Sequence, residues 1–325
     1  MKLIRIGIEE RAQKSVHIVG VLDGKDLVAL GYQATGGAFI YRRSIANAVW
    51  GTDDPAFVAE KIGAGTQSWD KFYEAAAELK AGPNEWGALH GEGTNIVDEQ
   101  GDIVRLKGIS LHGINYFPQY INQKLFNEFS DDWGANLVRV PLYVEGDYGY
   151  TENGAEKEKY IELVKNSIEY AKNANLYVIV DWHCLDCQDE EDFTDEAIAF
   201  FDEITSEYAD YNNIIYEIYN EPAPSRHWSD IKQYAEKVIP VIRKNDPNSI
   251  IVVGTPDYSD RPDQVIGDRI EGYDNIMYTF HFYASSHEDF FRGIIENCLN
   301  SNLPIFITEC GITERDGSSS IDYQK

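Results

Sequence analysis

Residues 214–222 read Ile214-Ile-Tyr-Glu-Ile-Tyr-Asn-Glu-Pro222, and residues 304–311 read Pro304-Ile-Phe-Ile-Thr-Glu-Cys-Gly311. Each is an apolar run of strand length that ends on a glutamate, Glu221 or Glu309, close to a Pro or Gly. Runs this short and this apolar suit strands buried on both faces, as in a parallel sheet covered by helices. Barrels of that kind carry their working groups at the carboxyl ends of the strands. Two carboxylates meeting there are what hydrolysis of a glycosidic bond needs. One protonates the leaving oxygen, and the other attacks or stabilises the anomeric carbon.

The pattern repeats on either side. Strands are expected over 104–110, 137–143, 176–182, 214–219, 249–254, 277–283 and 303–308. Helical stretches lie between them: 122–133 with Asn122 as N-cap, 155–174, 195–209, 229–244 and 287–300. In the second of these, Ile161, Val164, Ile168 and Ala171 make the inner face. Short apolar strands alternating with helices give an α/β fold with a parallel sheet. The expected architecture is a (β/α)8 TIM barrel over residues 85–325. A doubly wound open sheet, the rival, should carry a Gly-rich phosphate loop, and no GxGxxG or GxxxxGKS/T occurs. Only seven strands can be counted, and the chain ends soon after Glu309 in a polar stretch around Gly317-Ser-Ser-Ser320. A closed barrel of this type needs an eighth. The barrel is therefore expected to be C-terminally incomplete; the alternative is that an N-terminal segment closes the sheet.

Residues 1–84 differ in pattern and are expected to form a small α+β region. Ile4, Ile6 and Ile8 alternate with polar or small residues, as in a half-buried strand. Further strands are expected at 16–22, 27–32 and 38–41, with Asp23-Gly24 as a hairpin turn. Asp54-Pro55 starts a helix, with Asp as N-cap and Pro in the first turn. A second helix would carry Trp69, Phe72, Tyr73, Ala76 and Leu79 on one face. No catalytic signature is present in this region.

The chain has 325 residues, of which 43% are hydrophobic, enough for a full core. Its formal net charge of −27 excludes nucleic acid, whose phosphates it would repel, and disfavours anionic membrane surfaces. A neutral polysaccharide is not repelled. The charge also serves solubility alone. No apolar run is long enough to span a membrane, and the N-terminus shows no signal-peptide h-region. The four cysteines are Cys184, Cys187, Cys298 and Cys310. A lone Cys184-x-x-Cys187 without further ligand pairs argues against structural zinc. Free thiols are expected, with one disulfide as the alternative.

Further motifs run in order along the barrel region. They are Leu106-Lys-Gly-Ile-Ser-Leu-His-Gly113, Val138-Arg-Val140, Val180-Asp-Trp-His183, Ile218-Tyr-Asn-Glu-Pro222, His281-Phe-Tyr283 and Thr308-Glu-Cys-Gly311. Taken singly, each is weak, because a Glu at a strand end serves equally as a cap or an ion-pair partner. Taken together, they make residues from about 86 onward resemble glycoside hydrolase family 5, and within it the bacterial endo-β-1,4-glucanases. Residues 1–84 lie outside the resemblance. It implies Glu221 as acid/base and Glu309 as nucleophile of a retaining reaction. It further implies supporting roles for Arg139, which would keep Glu309 ionised, and for Tyr283 as a hydrogen-bond donor to it. His281 would bridge the two sites, and Asn220 would bond the sugar 2-hydroxyl. His112, His183, Tyr116, Tyr143 and Tyr258 would line the cleft, with Tyr116 and Tyr258 standing where relatives often carry Trp. Asp181 orients His183 or is structural. Two departures are Cys310, where relatives usually have Trp, and the eighth strand, which in the family supplies a Trp under the cleaved sugar.

The expectation is a retaining endo-β-1,4-glucanase acting on β-glucan. It is expected to be a monomer, extracellular by its polymer substrate, without metal or organic cofactor. A β-mannanase, xyloglucanase or mixed-linkage glucanase would use the same carboxylates. An inactive carbohydrate-binding remnant is the alternative of another class.

Overall fold

The computed structural model describes residues 82–185 and 190–314 continuously. Before them it describes 2–8, 16–23, 26–30, 32–33, 36–37, 50, 52 and 54–63. The chain divides into two compact units, Met1–Lys80 and Ala81–Lys325.

In the first unit, Lys2–Ile8 pairs antiparallel with Val16–Asp23, which pairs antiparallel with Asp26–Leu30. Asp23 faces Asp26 across the turn, as a short hairpin requires. The helix Pro55–Lys61 starts as expected: the Asp54 carboxylate accepts from Ala56 N at 2.7 Å, with Pro in the first turn. The expected strand at 38–41 and the helix carrying Trp69 to Leu79 lie outside the described residues.

The second unit has a (β/α)8-barrel fold, with seven parallel strands among its described residues. The strands are β1 Gly108–Ser110, β2 Leu137–Tyr143, β3 Tyr177–His183, β4 Ile214–Glu217, β5 Ile250–Val253, β6 Ile276–Thr279 and β7 Ile305–Phe306. Each pairs with its neighbour in sequence, so the sheet order is the chain order, with β1 and β7 at the edges. The crossovers are the helices α1 Gln123–Asp131, α2 Lys157–Asn173, α3 Glu190–Glu207, α4 Trp228–Asn245 and α5 Asp289–Asn300.

Local rules place these helices. Asn122 caps α1, its side chain accepting from Leu125 N at 3.0 Å. On α2 the buried stripe is Tyr160, Val164, Ser167, Ile168 and Ala171; Ile161, expected on that face, is only partly buried beside it. Helix faces and outward-pointing strand residues (Val138, Val140, Val178, Val180, Tyr216, Ile218, Ile251, Val253) form one core between sheet and helices. The alternate residues (Leu137, Tyr177, Ile179, Ile215, Ile250, Val252, Met277, Phe306) form a second core inside the barrel.

Five strands are shorter than expected, and in the first, sixth and seventh, where the difference is largest, the backbone groups find other partners. The expected first strand began at 104, but Ile103 bridges to Val97 and Val104 N donates to Ile96 O. That segment belongs to a small hairpin of His90–Glu92 and Asn95–Val97, and only Gly108–Ser110 joins the sheet. The sixth and seventh strands stop early and resume as a separate two-residue ladder, Phe282–Tyr283 beside Cys310–Gly311. Cys184, just beyond β3, is disulfide-bonded, which corrects the expectation of a free thiol there. Cys187 lies outside the described residues. Cys298 and Cys310 are free thiols.

Candidate active site

The inward positions of the strands change character along the barrel axis. Leu137, Ile179, Ile215, Met277 and Phe306 pack the interior. One strand period further toward the carboxyl ends, the same faces present Arg139, Asp181, Glu217, Thr279 and Thr308, all buried. Buried charges must be paired, and here they pair with one another.

Arg139 is the hub. Its Nε donates to Glu217 Oε2 at 2.7 Å, and its Nη1 donates to Glu309 Oε2 at 3.0 Å and Ser110 Oγ at 3.3 Å. Its Nη2 donates to Asn220 Oδ1 at 2.7 Å and lies 2.9 Å from Asp181 Oδ2. The guanidinium thus spends its fork on three carboxylates and an amide, and cannot rotate away. Arg139 meets Glu309 as expected, and it also pairs with the buried Asp181. Burial disfavours its charge, but Asp181, Glu217 and Glu309 outweigh that and hold it firmly protonated.

Glu221 and Glu309 lie at the rim, with side chains 18% and 22% exposed. Glu221 Oε1 is 2.7 Å from His281 Nδ1, and its backbone N donates to Cys184 O at 3.1 Å. Glu309 accepts from Arg139 on Oε2 and from the Tyr283 hydroxyl on Oε1. A carboxylate oxygen of each glutamate and a ring nitrogen of His281 lie within 4.8 Å of one another. Burial works against ionisation of Glu309, but Arg139 and His281 outweigh it, so its carboxyl sits below the usual range. Burial, then the Glu309 hydrogen bond and charge, push the Tyr283 phenol far up, so it remains a donor.

The break in the last two strands aims these groups. Between the ladder Thr279–Phe306 and the ladder Phe282–Cys310, residues 307–309 stand opposite only Phe280 and His281. The extra residue is a bulge. A regular strand would send Thr308 and Glu309 to opposite faces; here both reach the site. Gly311 is required beside it, because a Cβ there would lie 2.7 Å from the Tyr283 ring. His281 is pulled off the sheet line by its backbone bond to Ser259 O at 3.0 Å.

Beside the carboxylates stands an aromatic group. The Tyr143 ring stacks on His183 at 4.1 Å and on His112 at 5.8 Å, and Tyr116 meets it edge-on at 5.3 Å. Tyr116 also meets the exposed Tyr148 at 5.6 Å. His183 Nδ1 lies 2.7 Å from Asp181 Oδ2, to which it donates, and Nε2 lies 3.4 Å from Asn220 Nδ2. Asn220 is thus held from both ends. Tyr258 stands apart from this group, on a turn after β5, with its N bonded to Pro222 O at 2.8 Å.

Sequence reading overlooked Glu217, Thr279, Thr308 and Ser259. Glu217 was visible as the one charge inside an apolar strand run. The threonines look like ordinary β residues, and Ser259 like an ordinary turn residue, so neither type gives a signal. Among the described residues, Glu221, His281 and Glu309 also form a set whose atoms could hold a metal ion. An ion would have to displace the His281–Glu221 contact and compete with Arg139 and Tyr283 for Glu309.

The chain matches the family model for cellulase (glycosyl hydrolase family 5) over residues 97–325. It is 40% identical over 241 residues to endoglucanase A of Butyrivibrio fibrisolvens, covering 74% of this chain and 56% of that one. It is 37% identical over 246 residues to endoglucanase E-5 of Thermobifida fusca, covering 74% and 51%. The chain thus spans about half the length of these curated relatives. The catalytic domain of Thermobifida fusca endoglucanase Cel5A superposes with a TM-score of 0.70 at 36% identity, covering 74% of this chain and 79% of that one. A variant of that domain was solved in complex with cellotetraose. The match over the whole strand-and-helix region, at these identities, places the chain in glycosyl hydrolase family 5, the cellulase family.

Proposed function

We propose that the chain is a retaining endo-β-1,4-glucanase, with Glu309 as nucleophile and Glu221 as acid/base. The observation that carries this is the proximity of the two carboxylates, whose oxygens come within 4.8 Å. An inverting pair needs room for a water between carboxyl groups about 6.5–9.5 Å apart, whereas a retaining pair needs only about 5–5.5 Å. The neighbours divide the roles. Glu309 is gripped by Arg139 and Tyr283, which favours the anion a nucleophile must be. Among the described residues Glu221 is paired with no guanidinium; its partner is His281, a group that both gives and takes protons.

In the first step Glu309 bonds to the anomeric carbon, the glycosidic C–O bond breaks, and the Glu221 proton goes to the leaving oxygen. In the second, water attacks the same carbon, its proton returns to Glu221, and Glu309 is released. Asn220, held by Arg139, faces the 2-hydroxyl, and the group of Tyr143, His112, His183 and Tyr116 receives the neighbouring sugar rings. The glucanase names of the relatives and the cellotetraose complex support a β-1,4-glucan as substrate. An extracellular site of action follows from a polymer substrate.

Reducing-sugar release should be measured on soluble β-1,4-glucan, mixed-linkage glucan, xyloglucan and mannan, with Glu309→Gln and Glu221→Gln alongside. Either variant should lose about 10²–10⁴-fold or more in kcat. Azide added to Glu221→Ala should yield the β-glycosyl azide. An α-azide from that variant, or mannan as the best substrate, would sink the reading.

A further inference from the structure

Glu217 is a fully buried carboxylate, four residues before the partly exposed Glu221. Its Oε2 accepts from Arg139 Nε at 2.7 Å. Its Oε1 accepts from Thr308 Oγ1 at 2.6 Å and from Thr279 Oγ1 at 3.2 Å. Thr308 Oγ1 in turn lies 2.8 Å from His281 Nε2, and His281 Nδ1 lies 2.7 Å from Glu221 Oε1. We infer that Glu217, acting through the Thr308 hydroxyl, fixes a proton on His281 Nε2, so that the ring presents Nδ1 to Glu221 throughout the reaction. Glu217 and Thr308 are positioning residues in this scheme, which rests on the reading of Glu221 as the acid/base.

The argument is a count of hydrogens. The Arg139 guanidinium keeps Glu217 ionised: burial opposes its charge, yet its carboxyl is held at about 2. A carboxylate can only accept, so the single Thr308 hydrogen must point at Glu217. Thr308 then has only lone pairs for His281, and Nε2 must donate. The direct route is closed, because Nε2 is 3.9 Å from Glu217 Oε1. With Nε2 committed, Nδ1 is the atom that gains or loses a proton opposite Glu221.

The groups facing the ring set its charge. They are Glu217 from β4, Glu221 just beyond it, Glu309 and Thr308 beyond β7, and Arg139 from β2. Burial disfavours an imidazolium, but Glu217 and Glu221, with the charge of Glu309, outweigh it and raise the ring to about 9. Near neutrality Nδ1–H then donates to Glu221 whenever Glu221 is a carboxylate. That is its state after it has protonated the leaving oxygen and before it regains a proton from water.

The test is a nitrogen–proton correlation spectrum of the histidine-labelled full chain from pH 5 to 10, with His281→Asn used to assign the ring. Nε2 should carry a proton on both sides of the titration, and Nδ1 should lose its proton near pH 9. A neutral ring protonated on Nδ1 would overturn the inference. This readout needs no substrate, so it stands or falls separately from the glucanase reading. Thr308→Val should lower the His281 titration, and the basic limb of kcat/KM on a chromogenic cellobioside, by about one pH unit. Thr308→Ser should restore both. An unmoved titration in a folded Thr308→Val would reduce Thr308 to packing and end the proposal. If that variant does not fold, the wild-type spectrum decides.

Discussion

Arg139 concentrates the site's electrostatics in one residue, because a single fork holds Glu217, Glu309, Asp181 and Asn220 together. Pairing of this kind makes stability depend on pH, with a sign that follows from each shift. His281 is raised from 6.5 to about 9, so its contribution is complete below 6.5 and is lost as pH rises through 9. Glu217 is lowered from 4.5 to about 2, so its contribution is complete above 4.5 and is lost as pH falls toward 2. Both are intact between 4.5 and 6.5, and Tm should plateau there and fall on either side. Calorimetry of His281→Asn should show a flatter decline between pH 6.5 and 9; a decline as steep as the wild type's would clear His281 as its source. Among the cleft residues, Tyr116 offers the clearest single test, since it is set edge-on to Tyr143 and Tyr148. Tyr116→Ala should weaken gluco-oligosaccharide affinity about two- to tenfold, and Tyr116→Trp should strengthen it, as titration calorimetry would measure. Unchanged affinity in both would make Tyr116 a packing residue.

At the level of elements, seven strands in chain order were legible because each is an apolar run closed by polar residues, a pattern set by burial on both faces. The ends of the strands were not legible, because they depend on partners far away in sequence. Nothing local in 303–311 signals that one extra residue enters before Glu309, yet that bulge is what brings Thr308 and Glu309 to the same site. The turn Pro256–Ser259 is a second such case. Asp257, Tyr258 and Ser259 have φ of 57°, 60° and 62°, three consecutive left-handed residues without a glycine. Each costs roughly 1–2 kcal/mol relative to right-handed backbone, so the surroundings must offset it. Ser259 Oγ donates to Asn220 O at 2.7 Å, Tyr258 N donates to Pro222 O, and Ser259 O accepts from His281 N. The strained turn thus spans the Asn220–Pro222 loop and His281. Ser259→Ala strands a buried carbonyl and should cost about 1–3 kcal/mol in denaturant unfolding. Its kcat should fall while KM holds, because the loss displaces Glu221 and His281 and leaves the aromatic cleft alone. A change confined to KM would disconnect the turn from the acid/base.

On the scale of the whole molecule, a formal charge of −27 sets the terms of what the protein meets. A neutral glucan, the proposed substrate, carries no charge to be repelled, so its binding would rest on stacking and hydrogen bonds and should be nearly indifferent to salt. The two units contribute unequally to that encounter. Both hydrophobic cores of the barrel are built from residues beyond 88, and every residue of the site, from His112 to Glu309, belongs to the unit Ala81–Lys325. The first unit, Met1–Lys80, supplies none of the carboxylates, the guanidinium or the stacked rings. We therefore treat residues 85–325 as the catalytic domain and the first unit as dispensable for chemistry. A chain beginning at Ala81 should unfold in a cooperative transition of its own and keep kcat/KM on a soluble glucan within about twofold, well under the tenfold that 1.4 kcal/mol would make. Depletion of the isolated first unit from solution by insoluble glucan would give it a binding role without altering that result. If the shortened chain fails to fold, or folds and loses most of its activity, the division into independent units is wrong, and the first unit must take part in holding the barrel or the cleft.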